Sequence, residues 1–140
     1  MTEKEYLQIL SWEEEGYAPL VFSQGWQTAI LNWEPGAEVD AVYRVERHNL
    51  TDEVFILWRG SGALVIAEPD GVRVVDALPG VIYNVTIGTW HTVIATRDSS
   101  WIIVENKDTH LHDTEYRDMS AEELISFNSQ LPEWVGWNPK

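Results

Sequence analysis

Arg44-Val45-Glu46-Arg47-His48-Asn49-Leu50-Thr51-Asp52-Glu53-Val54-Phe55-Ile56-Leu57-Trp58-Arg59-Gly60 is the stretch that decides the fold. Two runs of strand-forming residues flank Asn49 to Asp52, whose short polar side chains bond to nearby backbone and so favour a turn. Strand side chains alternate with period two, so Glu46 and His48 share a face, and the turn brings Glu53 back beside His48 across a hairpin. The same grammar extends outward. Runs near Gln27–Trp33, Val39–His48, Glu53–Trp58, Ala63–Glu68, Val72–Ala77, Val81–Val85, Trp90–Thr96 and Trp101–Glu105 are separated by breaks such as Pro35-Gly36, Gly60-Ser61-Gly62, Pro69-Asp70-Gly71 and Pro79-Gly80. Short β-branched and aromatic runs at this spacing predict an all-β chain. Eight of them suffice to close a small barrel or jelly roll over about residues 27–106.

Short N- and C-terminal helices are expected around this block. Thr2-x-x-Glu5 has the form of a capping box opening a turn or two that carry Tyr6, Ile9 and Leu10, within an N-terminal arm of residues 1–26. Ser120-x-x-Glu123 opens a second helix carrying Leu124 and Phe127, within a C-terminal extension of residues 107–140. The ending Leu131-Pro132-Glu133-Trp134-Val135-Gly136-Trp137 is too aromatic for a disordered tail and is expected to pack on the barrel or on a neighbouring subunit.

At 140 residues the whole chain reads as a single domain. Nine Lys/Arg against 23 Asp/Glu leave a formal charge of −14, and the basic residues are scattered singly, which argues against nucleic acid and against anionic membrane surfaces as partners. Uninterrupted apolar runs such as Val54–Trp58 are far short of a membrane span, and Met1 to Glu5 lack a signal-peptide pattern, so a cytoplasmic location is expected. With no cysteine, thiolate chemistry and Cys-ligated metal sites are excluded. Nucleophile-elbow, phosphate-loop and dinucleotide motifs are absent from the sequence.

Chemistry concentrates where the four histidines stand. His91 lies in a later run, three residues after Gly88, so that two imidazoles and the carboxylates of Glu46 and Glu53 can converge inside one barrel. Here the chain resembles the cupins. Their first motif is a Gly, five residues, His-x-His, three or four residues, Glu, six residues and Gly; in this sequence Asp40, Glu46-x-His48, Glu53 and Gly60 follow that spacing, with Asp40 and Glu46 replacing the usual Gly and His. The second motif is a Gly, five residues, Pro-x-Gly, two residues, His, three residues and Asn; Gly80, Thr86-x-Gly88 and His91 reproduce it, with Thr86 for Pro and Ala95 for Asn.

The resemblance implies a divalent metal ion, one of Fe, Mn, Zn, Ni or Co, held by Glu46, His48, Glu53 and His91, with Glu46 and His48 also as catalytic residues. Physical reasoning agrees, because two unpaired carboxylates in a barrel interior repel each other and are costly to bury, and a divalent cation neutralises them. Arg44 shares parity with Glu46 and His48; it either receives an anionic group of a small-molecule ligand or pairs with Asp40 or Glu46. Phe55 is expected inward, Tyr83 and Trp101 at the cavity mouth, and Trp90 on the opposite face. His110-x-His112-Asp113 reads as an exposed loop, with a peripheral metal site or a role at the mouth as the alternative. The resemblance implies a metal-dependent isomerase or epimerase acting on a sugar or hydroxy acid. The alternatives are an Fe(II) dioxygenase and a non-catalytic ligand-binding protein. It also implies a homodimer, with the aromatic termini as candidate contacts.

Overall fold

Ten antiparallel strands, more than the eight expected, form two five-stranded sheets in a computed structural model that describes residues 6–137. The strands are β1 Tyr17–Phe22, β2 Trp26–Asn32, β3 Arg44–Arg47, β4 Glu53–Arg59, β5 Gly62–Glu68, β6 Gly71–Asp76, β7 Ile82–Val85, β8 His91–Ala95, β9 Ser100–Asn106 and β10 Glu115–Asp118. The first sheet runs β1-β2-β9-β4-β7 and the second β10-β3-β8-β5-β6. All pairings are antiparallel, and consecutive strands such as β3 and β4 lie in different sheets, as a jelly roll requires.

Between the sheets, the inward residues of each strand form one core: Ala29, Phe55, Leu57, Trp101 and Ile103 from the first sheet, with Leu64 from the second. A second apolar cluster lies on the outer face of the second sheet, where Val45, Val65 and Ile94 are covered by Phe127, Leu124, Trp134 and Val135. The covering comes from α2 (Ala121–Asn128), opened by the expected Ser120/Glu123 capping box, and from the 3-10 turn Glu133–Trp137. The aromatic ending therefore packs on the barrel of its own chain.

Three stretches differ from expectation, each for a local reason. The Thr2-x-x-Glu5 box lies outside the described residues, and residues 6–10 are not helical; Ile9 and Leu10 are exposed, and a short helix with no face to bury does not persist. The arm instead leads into β1, an edge strand that tolerates Pro19 through a register shift between Pro19 and Val21. Val39–His48 is not one strand, since Val39–Ala41 forms a 3-10 turn and β3 begins only at Arg44. Gly60 has φ +70°, and a Cβ there would lie 2.6 Å from the Ser99 backbone, so this turn accepts only glycine. No helix among the described residues is long and apolar enough to cross a membrane.

Candidate metal centre

Glu46 and His91 are directly opposed across the β3–β8 ladder of the second sheet. His48 follows β3, and Glu53 opens β4 on the first sheet. One donor atom from each of the four lies within 4.8 Å of every other. Glu53 sits at the centre, its Oε1 2.9 Å from His91 Nε2 and 3.1 Å from His48 Nε2, while Glu46 Oε1 stands 4.0 Å from His91 Nε2. His48, Glu53 and His91 are buried, and Glu46 reaches toward solvent with about a third of its side chain exposed.

The backbone sets the tautomers. His48 Nδ1 donates to the Asp113 carbonyl at 2.8 Å and His91 Nδ1 donates to the Thr89 carbonyl at 2.9 Å. A carbonyl only accepts, so each Nδ1 carries a proton and a neutral ring aims its Nε2 lone pair at Glu53. His48 Nε2 approaches Glu53 out of line, so this buried atom has no hydrogen-bond partner. Two lone pairs turned on a carboxylate repel it unless a proton or a cation stands between. A divalent ion fits this donor set of two imidazoles held by carbonyls and two carboxylates, with formal charges that cancel. Without an ion, protons must serve. Burial opposes charging His48, but the adjacent Glu53 carboxylate outweighs it and pushes His48 up to about 9. His91 is raised by the same balance. Burial would raise Glu53, yet the two imidazoles set against it, His48 first and His91 after it, hold it well below the usual carboxylate range. Burial, reinforced by the charge of Glu53, raises Glu46 against the pull of His91.

The cluster opens into a cavity of about 380 Å³ between the sheets, within the size range of small-molecule sites. Phe55 lies on its wall, edge-on to both His91 and Trp101. Trp101 is fully buried on the cavity floor, away from the expected mouth, because its strand runs through the centre of the first sheet. Tyr83 is absent from the cavity; it packs on the core and accepts a hydrogen bond from Leu78 N–H at 2.9 Å, since β7 is the edge strand farthest from β1. Arg44 stands exposed at the rim with its guanidinium 4.1 Å from the Tyr116 ring centre. Trp90 faces away from the cavity, beneath Arg47 and Arg117. Thr109–His112 is a short helix, α1, in place of the expected loop; His110 lines the cavity against Tyr17, and His112 points to solvent.

A second polar group lines the same cavity. Glu105, on β9, is 5% exposed, accepts hydrogen bonds from Tyr17 Oη and Gln27 Nε2, and lies 3.9 Å from His48 Nε2. Burial and the charge of Glu53 push Glu105 up to about 8, and burial followed by the bond to Glu105 raises Tyr17. Parity along Trp101, Ile103 and Glu105 is the signal that identifies this inward acid, which the sequence reading passed over. Gln27 holds parity with Ala29 in the same way.

No family model and no curated protein matches the chain. Solved structures do. A cupin-like protein from Thermotoga maritima matches at 20% identity over 79% of this chain and 81% of its own, with a TM-score of 0.54. A cupin-2 domain protein from Shewanella frigidimarina matches at 18% over 69% and 85%, with a TM-score of 0.53. KdgF from Halomonas matches at 14% over 68% and 83%, with a TM-score of 0.52. At these identities the likeness is one of fold.

Proposed function

Because the chain folds as a cupin around this cluster, we propose that it is a divalent-metal-dependent enzyme acting on a small polar molecule, a sugar or hydroxy acid, by isomerisation or epimerisation. Glu46, His48, Glu53 and His91 hold the ion in this reading. The observation that carries it is the pair of Nδ1 bonds to backbone carbonyls, which leaves both Nε2 lone pairs facing Glu53. A bound ion supplies Lewis acidity toward a carbonyl or hydroxyl oxygen of the substrate.

The chain's own groups divide the remaining work. Glu46 is the more exposed of the two carboxylates, with about a third of its side chain accessible, a position from which it can accept a proton from substrate and return it. Glu105, held by Tyr17 and Gln27, provides a second proton-bearing group on the cavity wall. Phe55, backed by the buried Trp101, gives the cavity wall an apolar character suited to the C–H face of a sugar, and Arg44 at the rim can take a carboxylate or phosphate.

A second reading rests on the unequal reach of the four ligands. Glu46 stands off at 4.0 Å while His48, His91 and Glu53 lie within about 3 Å contacts, a two-His, one-carboxylate grouping of the kind used by Fe(II) oxygenases.

The deciding experiment is elemental analysis of purified protein, followed by NMR of aldoses, ketoses and hydroxy acids incubated with the metal-loaded chain under air and under argon. Substrate conversion that does not depend on oxygen supports the isomerase reading, and oxygen-dependent conversion supports the oxygenase. Saturable binding with no product in either atmosphere would make the protein a ligand binder. A chain that neither retains nor takes up metal refutes the metalloenzyme.

A further inference from the structure

A second cleft, of about 570 Å³, lies at the end of the first sheet, apart from the four candidate metal ligands. Its walls are the ends of β2 and β4, the turn that joins β8 to β9, and the acidic bend at residues 13–15 that precedes β1. Two of the chain's nine basic residues face it. The Arg59 guanidinium lies 4.6 Å from the Trp58 ring centre and that of Arg97 4.5 Å from the Trp33 ring centre, so each cation is braced on an indole.

The wall beside them is polar and incompletely paired. Ser99 is 3% exposed and its Oγ has no hydrogen-bond partner; Oδ1 of Asn32, 9% exposed, and the buried Nε1 of Trp33 have none either. The Asn32 amide is nonetheless held, because its Nδ2 donates to the carbonyls of Trp12 at 2.9 Å and Glu14 at 2.8 Å and so pins the acidic bend. Trp33 Nε1–H can only donate, Asn32 Oδ1 can only accept, and the Ser99 hydroxyl does either. Three such atoms lining one cleft are costly to bury unless something outside the chain pairs with them.

We infer that this cleft binds a small zwitterion of the free α-amino acid class, its carboxylate taken by Arg59, Trp33 Nε1–H and Ser99 and its ammonium group by the acidic bend and Asn32 Oδ1. The charges select this class. A simple anion would meet Glu13, Glu14, Glu15 and Asp98 as well as the arginines, and a simple cation would meet two guanidinium groups. A molecule carrying both signs finds an opposite charge for each. The ion pair already in the cleft is easily exchanged: Arg59 Nη2 and Glu13 Oε2 stand 3.9 Å apart, with 43% and 71% of their side chains exposed, beyond hydrogen-bond reach and of the kind that contributes little. A ligand carboxylate can displace Glu13 and bond to the Arg59 fork in two places, and the released Glu13 joins Glu14 and Glu15 around the ammonium group. Arg97, with Glu38 3.4 Å from its Nε, adds positive charge to the same flank. Asn32, Trp33 and Ser99 also line the central cavity, so the two spaces share a wall, yet the inference stands whether or not the cavity is catalytic.

The test is a proton–nitrogen NMR titration of the full chain without added metal, reading the Trp33 indole N–H, which is identified by the cross-peak lost in Trp33→Phe. The common L-amino acids are added singly, with acetate and methylamine as the two isolated halves. At least one amino acid is expected to shift this cross-peak saturably, with a dissociation constant about tenfold or more below those of acetate and methylamine. Arg59→Gln is expected to weaken binding by about tenfold or more, through loss of a charge-assisted bond. Ser99→Ala is expected to weaken it by about three- to tenfold while leaving the melting temperature of the free protein equal or higher, since it removes a hydroxyl that nothing pairs. Circular dichroism melts establish folding, and the surface variant Arg59→Gln carries the test should Ser99→Ala fail to fold. A Trp33 cross-peak unmoved by every amino acid overturns the inference. So does binding that Arg59→Gln leaves intact, or acetate or methylamine binding as tightly as the amino acids, which marks a site for a simple ion.

Discussion

His48 and Asp113 are joined twice over, although 65 residues separate them. The imidazole Nδ1–H donates to the aspartate's backbone carbonyl at 2.8 Å, and the aspartate's carboxylate accepts from the N–H groups of Asn49 and Leu50, the two residues that follow the histidine. The segment between β9 and β10 thus grips the turn on which His48 is carried. On the other side, Gly88 N–H donates to the His48 carbonyl at 2.7 Å, tying that turn to the one that precedes His91.

Loosening this grip should be felt at the metal centre. Asp113→Ala removes the acceptor of two backbone N–H groups while leaving every proposed ligand in place. The expected result is a metal affinity about ten- to a hundredfold weaker, with a stability loss of about 1–3 kcal/mol. Calorimetric titration with Zn(II) or Co(II), beside a denaturant melt, measures both.

Metal should bind the folded chain in preference to the unfolded one. At a hundredfold excess over the dissociation constant it is expected to add about 2.7 kcal/mol, a gain that chelator reverses and that shrinks as pH falls below about 9, where protons compete with the ion for the His48 ring. Glu53→Gln removes the charge shared by both rings and is expected to abolish most of the gain. Thermal melts with and without chelator, for wild type and variant, provide the comparison.

Glu105 should matter to both folding and turnover. Glu105→Ala leaves the Tyr17 hydroxyl without its buried acceptor, while the Gln27 amide keeps Tyr17 and His110 as partners, and is expected to cost about 1–3 kcal/mol. Glu105→Gln preserves the shape of a protonated carboxyl and is expected to cost less. If Glu105 exchanges a proton with substrate, Glu105→Gln lowers kcat even where the protein is fully folded; melts and kinetics on the same preparations separate the two effects.

The Glu123 carboxylate at the start of α2 offers a pH test well away from the metal centre. Bonds from the Arg117 guanidinium and from Ser120 N–H hold it down at about 2, against a burial effect in the opposite direction. A carboxylate depressed by folding stabilises above its unfolded value of about 4.5, and that contribution fades as pH falls toward 2. Glu123→Gln keeps the capping geometry and removes the charge. Its cost is expected to be up to about 1 kcal/mol at neutral pH, since Arg117 is partly exposed, and to shrink progressively below pH ~4.5. Denaturant melts of both proteins across this range measure the narrowing difference.

The candidate metal cluster was legible in two steps. Turn chemistry and a period of two, both local, put Glu46, His48 and Glu53 together and turned Trp90 outward, and the capping box marked the helix start at Ser120; His91 and the set of four came from the motif spacing that resembles the cupins. What escaped depended on partners distant in sequence. β1 carries a proline and follows three consecutive acids, and β10 is Glu115-Tyr116-Arg117-Asp118; neither alternates clearly, because each is an edge strand held by one neighbour. Tyr83 and Trp101 share inward parity, yet the order of strands within the sheet sends one to its border and the other to its middle. Parity along a strand carries no information about that order.

Glu53 belongs to one layer of the sandwich, and Glu46, His48 and His91 to the other. An ion seated among them would act as a rivet through the two layers, damping their breathing at the mouth. Amide exchange in β3, β4 and β8 would then slow together on metal uptake, while β6, on the far border of its sheet, kept its own pace.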